Sequence, residues 1–142
     1  MITADLMNVP IHITPMPDYY ETNAKWFNVL FDSRLDSLID WAKSPLNERH
    51  VAAQRVLLAM STQPWAQQLM AATKDFVEFL IDRSTEVDKM GRETKFQIIQ
   101  SIFMTTTASQ YFDSPDIVKL GVFVKQGPFY STATNVVGME AE

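Results

Sequence analysis

The chain has no cysteine, only four glycines and only two histidines. Without cysteine there are no disulfides, thiolate nucleophiles, zinc knuckles or iron–sulfur ligands, so folding rests on packing alone. The glycines, Gly91, Gly121, Gly127 and Gly138, are scattered. A phosphate-cradling loop needs them clustered ahead of a helix, and a serine nucleophile elbow needs them flanking the serine, so both are excluded. No stretch reaches the roughly 18 uncharged apolar residues of a membrane span. The opening "MITADLMNVP" holds Asp5 and no lysine or arginine, unlike the basic start of a secretory signal. These shortages predict a cytoplasmic protein with no membrane association.

Positive charge is also scarce: 12 Lys and Arg stand against 17 Asp and Glu, a formal net charge of −5. Affinity built on neutralising phosphates needs clustered cations, so nucleic acid is not an expected partner. The most basic stretch, "KMGRETKFQ", sets Lys89, Arg92 and Lys95 around Phe96, but Glu86, Asp88 and Glu93 dilute it. It reads as a diluted patch in which Lys89 lies near a helix end, where a cation offsets the helix dipole.

What is present is apolar content: 46% of 142 residues, enough for one domain with a real core. Residues 1–17 carry Pro10, Pro15 and Pro17 among Val9, Ile11 and Ile13, a pattern unsuited to helix or central strand and too apolar for a solvated tail. This segment is expected to be an extended arm. Helix 1 is predicted from about Asp18 to Lys43, with Phe27, Leu30, Phe31, Leu35, Leu38 and Ala42 on one face. Ser44–Pro45 restarts the chain into helix 2, residues 45–61, with Val51, Val56, Leu57 and Met60 inward. Pro64 opens helix 3, residues 64–88, whose Trp65, Leu69, Ala72, Phe76 and Phe79 step by four and three as a heptad-like seam. Such a helix would be roughly 37 Å long, the spine of the domain.

Gly91 is the expected break before helix 4, residues 92–112, which buries Phe96, Ile99, Ile102 and Phe103 and should fray or bend at Thr105–Thr106–Thr107. "DSPD" at 113–116 opens a short helix 5 ending at Leu120. From Gly121, "VFVKQGPFYSTATNVV" reads as extended or hairpin-forming. The expected fold is all-α: a single-domain bundle of four to five helices, residues 18–124, between extended arms at 1–17 and 125–142.

Candidate chemistry is sparse. Asp32, Asp36 and Asp40 recur every four residues, so on one helix their carboxylates stack along a stripe. Carboxylates rising about 6 Å per step do not converge on a single ion, so no metal site is expected. The stripe reads as a solvated face answered by Lys43 and Arg55, or else as a docking face for a basic partner. His50 follows Glu48 by two residues, a spacing at which helical side chains do not face each other, and His12 lies in the arm between Ile11 and Ile13. Neither fits a zinc spacing. An enzyme would need a composite carboxylate site from distant helices, and nothing marks one. No cofactor or small-molecule substrate is expected.

The features that call for a partner are the chain ends. Met7, Val9, Ile11, Ile13, Met16, Tyr19 and Tyr20 at the start, and Phe123, Phe129 and Tyr130 near the end, are candidate partner-binding residues; methionine suits an adaptable contact. The sequence is read as a non-enzymatic structural or assembly protein, a subunit of a homo-oligomeric or multi-protein complex gripping its neighbours through terminal arms. Viral and phage connector or adaptor subunits, which would place it in a virion, share this combination. The alternative is a small regulatory protein that inhibits or recruits a host protein through the acidic helical face.

Overall fold

The computed structural model describes residues 17–131, with side chains from Tyr20 onward. Among these residues there are eight α-helices, one 3-10 turn and no strand. The helices are α1 (Pro17–Phe31), α2 (Asp36–Ala42), α3 (Asn47–Met60), α4 (Pro64–Ala72), α5 (Phe76–Ile81), α6 (Lys89–Phe103), α7 (Ala108–Tyr111) and α8 (Ser114–Gln126), with the 3-10 turn at Arg83–Thr85 between α5 and α6. The arms expected at 1–17 and 125–142 fall mainly outside the described residues, although Pro17 and residues 125–126 are helical.

The all-α class matches the sequence expectation; the number of helices does not. Three of the four to five long helices expected are broken. Helix 1 stops at Phe31 because Asp32 and Ser33 take φ of 54° and 59°, and helix 3 stops at Ala72 because Asp75 takes φ of 64°. A left-handed residue cannot continue a right-handed helix, and a non-glycine residue there gives no glycine to read in advance. The roughly 37 Å spine is therefore two short helices, α4 and α5, yet Phe76 and Phe79 remain buried because the turn at Asp75 aims α5 onto α8. Helix 4 ends at Phe103, before the threonine run.

Two glycines expected as breaks lie inside helices. Gly91 sits in the first turn of α6, where its N–H donates to the capping carboxylate of Asp88 at 2.7 Å. Gly121 lies mid-α8, which runs on to Gln126. A Cβ there would meet Phe103 Cε1 at 3.0 Å, so this glycine serves the close approach of α8 to α6. Gly127, with φ of 88°, ends the helix.

The proline and aspartate signals hold better. Pro64 and Pro115 open α4 and α8, and Asp113 caps α8 by accepting from the Asp116 N–H at 3.0 Å. Helix α2 packs on α3, α3 on α6, and α6 on α8, while α4 meets α1, α5 and α7. Leu57, Met60, Met70, Leu80, Ile99 and Ile102 are fully buried at these crossings. Each such side chain contributes about 1.5–3 kcal/mol of transfer free energy.

Neutral polar groups stitch α4 to its surroundings. The Gln67 amide donates to Ser61 O and to Thr105 Oγ1, both at 2.9 Å, and its carbonyl accepts from Thr107 Oγ1 at 2.6 Å. The threonine run, poor helix material, thus forms a turn held by a buried glutamine. Gln63 Oε1 accepts from Asn23 of α1 at 3.0 Å and from the Trp65 indole at 2.7 Å. Trp65 in turn packs on Phe27 at 5.5 Å between ring centroids, fixing α1 to α4.

Candidate functional site

Charge gathers where α3, the Asp82–Asp88 loop and α6 meet. The loop is pinned at its start by Asp82, whose carboxylate accepts from the Ser84 N–H at 3.0 Å and the Ser84 hydroxyl at 2.6 Å; the hydroxyl bond is the main cause of its lowered pKa. Below the loop lies Lys95 of α6, only 2% exposed. Its ammonium donates to Asp82 O at 2.7 Å and Thr85 Oγ1 at 2.6 Å, and it stands 4.4 Å from the Phe79 ring centroid. Burial pushes the Lys95 pKa down to about 8, against the opposing pull of Glu86 and Asp82.

Thr85 donates in turn to Glu86 Oε2 at 2.8 Å, and Glu86 Oε1 meets His50 Nε2 of α3 at 2.6 Å. The Glu86 side chain is 3% exposed. Its carboxylate sits directly over Gly91, where a Cβ would collide with Oε1; this is the reason a glycine stands in the first turn of α6. A relay thus runs from Lys95 through Thr85 and Glu86 to His50, tying three elements together.

Two clefts flank the relay. One, of about 290 Å³, is lined by Arg83, Arg92, Lys95, Phe123, Pro128 and Tyr130. The other, of about 730 Å³, runs from Lys43 and His50 past Val87, Met90 and Thr94. Arg83 closes one end of the smaller cleft. Its guanidinium donates to Gly127 O at 2.8 Å and lies over the Phe123 ring at 3.8 Å, with Tyr130 at 5.3 Å. It holds the two carbonyls of the turn that follows α8, those of Gly127 and Pro128.

The residues expected to bind a partner are only partly gathered here. Met7, Val9, Ile11, Ile13 and Met16 lie outside the described residues, as does His12; Tyr19 is placed by backbone alone in α1. Tyr20 is half-buried, and burial raises its pKa. Phe123 is 5% exposed and belongs to the core beneath Arg83, because α8 continues as helix where an extended tail was expected. Tyr130 joins it around Arg83, and Phe129 stays exposed.

The aspartate stripe does not form. Asp32 sits in the left-handed turn after α1, whereas Asp36 and Asp40 lie on α2, and Asp36 pairs with Arg34 at 2.5 Å. The acidic face proposed for a regulatory binder therefore loses a third of its ladder. His50 is partnered, as a structural histidine, but by Glu86 rather than by Glu48. Lys95, a member of the basic stretch around Phe96, is buried. Among the described residues no group of three or more His, Cys, Asp or Glu could hold a metal ion, and no helix is long and apolar enough to cross a membrane.

A family model described as the proteasome non-ATPase 26S subunit matches residues 13–142. The chain belongs to this family. It is 30% identical over 123 residues to the 26S proteasome non-ATPase regulatory subunit 5 of Homo sapiens, and equally to that of Bos taurus, covering 87% of this chain and 24% of each relative. The Mus musculus counterpart is 31% identical over 113 residues, 80% of this chain and 22% of the relative. The chain therefore spans about a quarter of the length of these relatives. No solved structure matches it. Membership in this family overturns the viral or phage connector reading and the virion location that went with it. The relatives' names describe non-ATPase regulatory subunits of the 26S proteasome.

Proposed function

We propose that this chain is a non-enzymatic, protein-binding part of a proteasomal regulatory subunit, a rigid helical body whose ends engage neighbouring proteins. The observation that carries the reading is the contrast between a satisfied interior and unsatisfied ends. Among the described residues no buried side-chain polar atom lacks a partner. At the same time α1 leaves Trp26, Val29 and Leu30 exposed, and α8 with its following turn leaves Val118, Val122 and Phe129 exposed. Large apolar side chains grouped this way on a folded surface suit protein contacts. In this reading the apolar residues of the terminal segments 1–17 and 125–142, Met7, Val9, Ile11, Ile13 and Met16 together with Phe129 and Tyr130, contribute to the same partner contact. Their partner is another proteasomal protein or a second copy of the chain, and the compartment is the cytoplasm.

The test is deletion of residues 1–17. Helicity and melting temperature should stay nearly unchanged, while capture of purified 26S proteasome subunits and self-association by light scattering are lost. Collapse of the fold, or undiminished capture, would overturn the proposal.

A further inference from the structure

The smaller cleft is basic in an acidic chain. Arg83, Arg92 and Lys95 all line it, against one carboxylate, that of Glu86. The nearby carboxylates are already engaged: Glu86 by His50 and Thr85, Asp82 by Ser84. The cations themselves bond to neutral acceptors. Arg83 donates to the carbonyls of Gly127 and Pro128, and Lys95 to Asp82 O and the Thr85 hydroxyl. Arg92 donates only its Nε, to Glu86 O at 3.3 Å; its two terminal nitrogens have no partner among the described residues. The charge of Arg83 is further opposed by Arg92, and that of Lys95 by Arg83. Glu86 and Asp82 answer Lys95 from within the fold, which leaves two arginines that oppose each other at the cleft, one with an open guanidinium fork, and a field that a further carboxylate would relieve.

We propose that this cleft binds an acidic peptide segment of a protein partner, with one of its carboxylates taken by the terminal nitrogens of Arg92. Arg83 is fixed over Phe123 and against the end of α8, so it contributes charge without moving. Lys95 adds charge from below through a fixed position. Tyr130 forms the wall against which the peptide backbone lies. A guanidinium fork accepts a carboxylate in two parallel hydrogen bonds, which sets its preference over a lysine in this position. The inference rests on the protein-binding reading above, but the two fail separately, since this one needs only the isolated chain and a peptide.

The probe is a fluorescein-labelled hexaglutamate peptide titrated into the full chain at low salt and read by anisotropy. Saturable binding is expected. Arg92→Gln should weaken it roughly tenfold or more, and Arg92→Lys less. Arg34→Gln, a cation remote in sequence and paired with Asp36, should leave it unchanged. Amide chemical shifts of the unmutated chain, followed during the titration, should move at Ser84, Arg92 and Tyr130, a readout independent of any variant's folding. Absence of binding, shifts confined to other surfaces, or equal weakening by Arg34→Gln would overturn the proposal. Binding seen only after residues 132–142 are removed would overturn the partner assignment in favour of the chain's own Glu140 and Glu142.

Discussion

Two buried polar junctions hold this molecule together, and they use opposite chemistry. The one around Gln63 and Gln67 is made, among the described residues, of neutral amides, hydroxyls and an indole. The one around Glu86 and Lys95 buries both a carboxylate and an ammonium. Neutral partners cost little to desolvate and tolerate the loss of one bond, whereas a buried charge depends on its surroundings being complete. The charged junction is also the one that borders both clefts. Stability insensitive to conditions is thus placed at α4, and electrostatic sensitivity is placed beside the surface open to other molecules.

The sharpest way to break this contrast is Glu86→Ala. It removes the acceptor of His50 and Thr85 and the countercharge above Lys95, and should cost about 3–5 kcal/mol in urea unfolding. A loss below about 1 kcal/mol would mean the junction is solvated after all.

The next largest effect concerns pH. The folded pKa of Lys95 is lowered to about 8 from 10.5, so between these values the unfolded chain holds more protons than the folded one. Stability is therefore lowest below about pH 8 and climbs as pH rises towards 10, by up to about 3 kcal/mol. Lys95→Met should remove that slope in chemical denaturation across the same window; a slope that survives the substitution would assign it to another group.

The smallest effect is expected at the neutral junction. Gln67→Ala should cost about 1–3 kcal/mol and, unlike the changes at Glu86 and Lys95, by the same amount at pH 7 and pH 10. A pH-dependent cost would show the two junctions to be coupled.

How far the sequence displayed this arrangement depends on the range of each interaction. Local signals were readable: Pro64 and Pro115 opened helices, Asp113 capped one, and the inward positions Phe27, Leu57, Met60, Ile99 and Ile102 are buried as periodicity requires. The breaks at Asp32, Ser33 and Asp75 were not readable, because no glycine marks them and aspartate tolerates the left-handed region without requiring it. Gly91 and Gly121 misled for the converse reason: both serve a close approach of side chains from elsewhere, Glu86 and Phe103, and neither ends a helix. The charged junction was invisible because His50 and Glu86 are 36 residues apart, and Lys95 reaches Asp82 over 13. Within "KMGRETKFQ" nothing distinguishes the buried Lys95 from the exposed Lys89. The partner-facing residues named from the sequence were chosen for apolarity alone, which is why Phe123 was among them although the core needed it.

The Arg83 contact with Gly127 joins positions 44 apart in the chain. A side chain in the middle of the polypeptide therefore holds the turn that Gly127 opens after α8. The turn at Gly127 and Pro128 is thus moored from a distance, so Arg83→Ala would loosen it without altering any residue of the turn itself.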